Sequence, residues 1–384
     1  MITTLFYYID VAMLVTTTIF VLLFLTQFNE DRETLRNYRI SKRLVAVAFF
    51  FVAIGNLVEL LGHSNDPVEV SEEEFIIIKI ITLATAVSQA FIFTIVSVML
   101  LDPKVVKFKQ FRWQTVVVAA YIVVVILGYF LPPKSSLEFF INLLNIVYCG
   151  VLIYFTFYFV RRYRAFRLAM DNFYSDDVAG RMRWVAVAFY GALSVGVFAL
   201  ITTQYSNLVL NIVFNLFLIC FYTFFGIKLL NYPWQFDLIE KSMAETPITE
   251  EPVDAQASVT PNITTEIGYR KPYSINSNDS IEQWIVEKHF LKSGVTIDDL
   301  AKFLKTNRTY LSSYFNSEKG VTFGQWINSL RIEEAKRIII DNPKITMAEL
   351  APRLGYADTS TFFRHFKAIE GIQPSVWKQT NLPI

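Results

Sequence analysis

The sequence predicts an all-α protein: a polytopic membrane bundle of seven helices, N-terminus outside and C-terminus inside, followed by a soluble helical domain of two helix-turn-helix units joined by a long helix. Three observations lead there. Seven runs of about 20 apolar residues, each enough to cross a bilayer, fill residues 1–230. These runs hold almost no charge, which concentrates in the short loops and the last third of the chain. The final stretch repeats one helical pattern at a spacing of about 50 positions. The expected domains are 1–230, a seven-helix transmembrane domain; 231–279, a flexible acidic, proline-containing linker; and 280–384, a double helix-turn-helix domain.

Composition supports two environments. Of 384 residues, 53% are hydrophobic and 16% aromatic, with a mean hydropathy of +0.39, above the roughly 45–50% apolar content of soluble domains. The net charge of +1 hides a strong segregation along the chain. Cys149 and Cys220 both sit in apolar runs, so they read as small core residues and give neither a disulfide framework nor a zinc pattern. His63, His289 and His365 lie far apart, without ligand spacing. No cofactor, no metal and no catalytic residue is expected, and the chain does not read as an enzyme.

The spans fall near 5–25, 43–61, 75–101, 114–131, 137–160, 184–203 and 207–230. Asp10 interrupts the first, no basic residue precedes it and no cleavage site follows, so it reads as a retained anchor rather than a signal peptide. Orientation follows from the basic residues of the loops. Arg32, Arg36, Arg39, Lys42 and Arg43 follow span 1; Lys104, Lys107, Lys109 and Arg112 follow span 3; Arg161, Arg162, Arg164, Arg167, Arg181 and Arg183 follow span 5. The alternate loops offer only Lys134, and the one after span 2 is acidic. The N-terminus is therefore expected outside and everything after Lys228 in the cytoplasm. The location implied is the cytoplasmic (inner) membrane of a bacterium, multi-pass, with membrane lipid as one partner.

Polar groups inside spans are costly and mark candidate sites. Those expected to sense a small-molecule ligand are Asp10, Asn56, Glu59, Lys79, Asn142, Asn145, Asn211 and Asn215, all placed in the outer half of their helices by the derived topology; Gln89 is mid-span. Asn142 and Asn145, like Asn211 and Asn215, share a helix face. The competing structural reading is interhelical hydrogen bonding that glues the bundle, or, for Asp10, Glu59 and Lys79, a buried ion pair.

Between Asn231 and Asp279 eight acids and five prolines interrupt any apolar period. A tether so long and polar does not transmit a rigid rotation, so a signal would act by changing bundle dimerisation and hence the effective concentration of paired DNA readers.

The repeat comes next. Ile297, Leu300, Ala301 and Leu304 recur as Met347, Leu350, Ala351 and Leu354, both at i, i+3, i+4, i+7. Thr296 with Asp299, and Thr346 with Glu349, form matching capping boxes. Each helix ends in a short turn before a second helix with Leu311 and Phe315, or Phe362 and Phe366, facing inward. Between the copies, TFGQWINSLRIEEAKRIII reads as one helix ended by Asp341, Asn342 and Pro343. About 20 residues span roughly 30 Å, close to the approximately 34 Å between major-groove faces one turn apart.

The run LRIEEAKRIIIDNPKITMAELAPRLGYADTSTFFRHFKAIEGIQPSVW resembles the signature of AraC/XylS-type transcription regulators, and TIDDLAKFLKTNRTYLSSYFNSEKGVTFGQWIN resembles their first helix-turn-helix. Leu330, Ala335, Gly355, Ser360, Phe362, Arg364, Phe366, Lys367, Gly371 and Pro374 fall at the family's spacing. The resemblance covers about residues 280–380 and implies sequence-specific binding of double-stranded promoter DNA by both readers, often within a homodimer, with RNA polymerase a further partner if the protein activates. By position it implies base contacts from Thr309, Ser312, Ser313, Thr359, Ser360, Phe363 and Arg364. Arg364 is the side chain able to make a bidentate bond to guanine. Lys305, Arg308 and Lys367 are implied phosphate contacts. Two departures stand out: Tyr356 replaces the usual Phe, and Pro352 lies inside a helix, where it removes the bond to the Ala348 carbonyl and is expected to bend it. From Ile281 onward fourteen basic side chains face eleven acidic ones, so non-specific affinity is expected to be modest.

The function expected is that of a membrane-anchored, sequence-specific DNA-binding transcription regulator, a one-component sensor. The alternative is a transporter or channel with a regulatory tail; few Gly/Pro breaks in the spans speak against it. A membrane enzyme is the third, with no nucleophile-base pattern behind it.

Overall fold

A computed structural model of the chain describes residues 2–26, 35–62, 72–101, 108–130, 137–176, 178–205, 208–233 and 277–382. The tether expected over 231–279 lies almost wholly outside them, as do His63 and the side chain of Glu59. The chain divides into two compact units: Met1–Phe166 with Gly180–Met243, and Arg167–Ala179 with Ala244–Ile384. Among the described residues there is no strand, only one isolated antiparallel bridge.

The first unit contains α1 (Ile2–Thr26), α2 (Arg36–Gly62), α3 (Glu72–Leu101), α4 (Phe108–Phe130), most of α5 (Leu137–Phe173), the end of the short α6 (Val178–Arg181), α7 (Arg183–Gln204) and α8 (Leu208–Leu230). Among the described residues, seven helical segments are long and apolar enough to cross a membrane, α6 and α7 counting as one. α1 packs on α2 and α8; α3 lies against α2, α4 and α7; α7 meets α8. Rings fill the interior: Phe49 against Tyr222 at 4.5 Å, Phe93 against Phe225 at 4.9 Å, Phe159 stacked on Phe189 at 3.9 Å. The outer surface is apolar too, with Phe50, Phe139, Ile153 and Phe157 exposed. A helix apolar all round is what a lipid solvent permits.

Two details differ from the sequence reading. Cys149 and Cys220 are exposed on the helices' outer faces rather than in the core, because hydropathy that runs all round a helix gives no inward face to read. And α5 continues well beyond the apolar run to Phe173. Beyond residue 160 the buried Phe166, Met170 and Phe173 extend an inward stripe begun by Phe159 at helical spacing, while Arg161, Arg164 and Arg167 stay exposed.

In the second unit, helix Ser277–Val286 and a short turn of 3₁₀ helix at His289–Leu291 precede the first helix-turn-helix. Its scaffold helix is Ile297–Phe303 and its reader Arg308–Ser313, which runs on into a wider turn, Tyr314–Glu318. The connecting helix is Phe323–Asp341. The second pair is Met347–Arg353 and Thr359–Glu370, and Pro374–Asn381 closes the domain. Both expected capping boxes are formed, and a third joins Thr322 to Gln325 at the start of the connecting helix. Pro352 sits one residue from the end of its helix, so the bend expected there has no following turn to displace. One core packs Ile332, Ala335 and Ile339 of the connecting helix against Leu350, Leu354, Phe362 and Phe366. Around the first pair, Trp326 meets Trp284 at 5.7 Å and Phe315 at 4.7 Å.

Candidate functional site

The two readers are aimed by their caps. Asn307 accepts from the Tyr310 amide at 2.8 Å, and Asp358 accepts from the Thr361 amide at 2.7 Å; each side chain satisfies an amide that has no partner within its own helix. The turns before them use left-handed backbone, Lys305 at φ 52° and Gly355 at φ 80°. Glycine is required at 355, since a Cβ there would meet the Leu291 carbonyl oxygen and lie 2.9 Å from Arg331 Nη2.

On the first reader Thr309 and Ser313 are exposed and Ser312 is half-buried. On the second, Ser360 and Arg364 are exposed, Thr359 is half-buried, and Phe363 packs partly against the domain core. The structure thus presents Arg364 and Lys367 on one outward face while Phe362 and Phe366 point in. Ser360 donates its hydroxyl to Asp358, and that bond with the Thr361 amide holds the Asp358 carboxyl below its usual range. Ser360 therefore serves the cap before it serves any base.

Of the expected phosphate contacts, Lys305 and Lys367 are exposed, whereas Arg308 is engaged. Its Nε and Nη2 donate to the two Asp298 oxygens at 3.0 and 3.2 Å, and its guanidinium lies 4.5 Å over the Phe173 ring. Glu334 of the connecting helix is bonded by Arg337 of the same helix and by Lys288, which together pull its carboxyl down to about 2. Lys336 meets Glu333 and Glu370.

Arg331 was not anticipated. It is wholly buried; Nε donates to the Phe290 carbonyl at 2.9 Å, Nη2 to the Lys292 carbonyl at 2.8 Å, and Nη1 lies 3.3 Å from Asp176. Its guanidinium rests 5.1 Å over the Tyr356 ring, and burial raises the Tyr356 hydroxyl's pKa. The signal available was an arginine on the stripe of buried Ile327 and Ala335, easily mistaken for a surface charge.

Among the described residues, the polar side chains of the long apolar helices do not gather in one place. Asn215 donates to Asp10 at 2.8 Å, linking α8 to α1. Gln204 donates to Asn142 at 3.0 Å and Thr203 to Asn145 at 3.3 Å, linking α7 to α5. Asn56 and Lys79 are buried on α2 and α3, and Asn211 is half-buried on α8. Gln89 accepts from the Tyr222 hydroxyl and, with Ala86, Phe93, Val195, Gly196 and Phe221, lines a small recess to which none of the described sensing candidates contributes.

Residues 300–380 match the family model described as a helix-turn-helix domain. Similar proteins include the uncharacterized HTH-type transcriptional regulator YtdP of Bacillus subtilis, 34% identical over 91 residues, covering 24% of this chain and 12% of that protein. The raffinose operon transcriptional regulatory protein RafR of Pediococcus pentosaceus is 30% identical over 106 residues, 26% of this chain and 38% of that one. The Msm operon regulatory protein of Streptococcus mutans is 28% identical over 87 residues, 23% and 31%. The chain spans well under half the length of these relatives, and the family model matches its C-terminal part. No solved structure matches the chain. With the paired capping boxes and the long connecting helix, these matches make the C-terminal domain of this chain an AraC-type helix-turn-helix domain, the kind carried by DNA-binding transcription regulators.

Proposed function

We propose that the chain is a membrane-held, sequence-specific transcription regulator whose seven-helix unit, N-terminus outside and C-terminus in the cytoplasm, detects a small ligand and whose C-terminal domain binds promoter DNA. The observation that carries this reading is the presence, in one polypeptide, of seven membrane-length helices and a double helix-turn-helix domain. The bias of fifteen basic residues against one in alternate loops supports the orientation.

Base reading falls to Thr309, Ser312 and Ser313 on the first reader and to Thr359, Ser360, Phe363 and Arg364 on the second; Lys305, Arg308 and Lys367 hold phosphates. With few surplus charges on the domain, pairing of two chains supplies the affinity one domain lacks. RNA polymerase is the further partner where binding activates. The experiment is direct: embed the full chain in lipid nanodiscs, select duplexes from a random pool, and footprint the survivors. The reading requires protection on one duplex face at two positions one helical turn apart. Selection that never enriches a sequence would overturn it.

A further inference from the structure

The C-terminal domain does not form its unit alone. The end of α5 and the turn after it, Arg167–Ala179, belong to the same unit, and the fit is specific. The Ser175 amide donates to the Val295 carbonyl at 3.0 Å, and Tyr174 forms the isolated antiparallel bridge with Thr296. Asn328, buried in the connecting helix, donates to the Ser175 carbonyl at 2.9 Å. A Cβ on Gly324 would lie 2.6 Å from the Tyr174 carbonyl oxygen and 2.9 Å from that of Asp171. Only glycine lets the connecting helix approach so closely. Asp176 also supplies the carboxylate that faces buried Arg331, and a buried charge left without its partner is costly.

This seat reaches the first reader. Arg308, its first residue, is sandwiched between Asp298 and the Phe173 ring, with its side chain only 12% exposed. An ion pair to a partly exposed carboxylate is weak by itself and yields readily to a phosphate. The ring of Phe173 covers the other side.

We propose that Phe173–Asp176 is a regulatory clasp: seated, it withholds Arg308 from DNA phosphate, and a displacement of α5 releases it. This deepens the DNA-binding reading and rests on it. The signal then travels along α5, which is continuous from Leu137 to Phe173, and needs no stiffness in the tether. The base-reading face, with Thr309 and Ser313 exposed, stays open throughout, so the clasp tunes affinity rather than sequence preference.

The test uses the full chain in nanodiscs and a duplex that it selects from a random pool. Gly324→Ala bars the seat while favouring the helix it lies in. It should bind that duplex several-fold more tightly, with a salt dependence steeper by about one phosphate contact. In a background of Cys149→Ala and Cys220→Ala, the pair Tyr174→Cys and Thr296→Cys should cross-link under oxidant. The oxidised molecule should bind several-fold more weakly than the same molecule reduced, with the shallower salt dependence. Failure of the pair to cross-link, or one affinity and one salt slope for wild type, Gly324→Ala and both redox states, overturns the clasp and leaves DNA binding standing. If neither wild type nor Gly324→Ala selects any duplex, the DNA-binding reading falls as well.

Discussion

Asn215 donates a 2.8 Å hydrogen bond to the carboxylate of Asp10, which is 3% exposed, and so fastens α8 to α1. A buried carboxylate that loses a donor keeps its desolvation cost, so Asn215→Leu should destabilise the bundle by about 1–3 kcal/mol. Unfolding in mixed micelles with increasing dodecyl sulfate measures it. An unchanged midpoint would show that other groups hold Asp10 and that the pair is not a structural tie.

Topology is checked with reporter fusions. Those after residues 40, 108, 170 and 240 should report cytoplasm, and those after 68, 134 and 205 the outside, following the basic loops. A cytoplasmic signal at 68 would invert the first pair of spans and undo the orientation.

Arg364→Ala should cost about 1–3 kcal/mol on the selected duplex and relax preference at one base pair. Lys367→Ala should weaken selected and random duplexes alike. Titrations on both kinds of DNA separate the roles; equal losses for Arg364→Ala would make it a phosphate contact.

Glu334 carries the clearest pH dependence. Arg337 and Lys288 hold its carboxyl at about 2, below its ordinary value of 4.5. A depressed carboxylate contributes stability that is complete above its unfolded value and disappears as pH falls through its folded one. The connecting helix should therefore lose protection from amide exchange as pH drops from 4.5 toward 2, and Glu334→Gln should flatten that loss. A wild-type profile identical to that of Glu334→Gln would contradict the pairing.

Much of this was legible in the sequence, for identifiable reasons. Thr296, Thr346 and their acids mark helix starts through local hydrogen bonds, and local chemistry is what a short motif encodes. The seven spans follow from the bilayer's thickness. What stayed hidden depends on contacts between distant residues. Asp176 and Arg331 are 155 positions apart, and nothing in either segment alone announces the other. The basic residues from Arg161 to Arg167 read as a loop and so obscured the apolar stripe that carries α5 on to Phe173. Asn142 and Asn145 stand out in the sequence as polar groups in an apolar helix. Their partners Gln204 and Thr203 required the packing.

The proposed function requires one membrane-embedded chain to bind specific DNA. Its most direct test is to cross-link living cells, isolate the full-length chain from the membrane fraction, and sequence the DNA attached to it. The expected result is a small set of discrete sites sharing a two-part sequence, lost on Arg364→Ala at unchanged membrane abundance. Enrichment no greater than genomic background, or a chain recovered outside the membrane fraction, would contradict it.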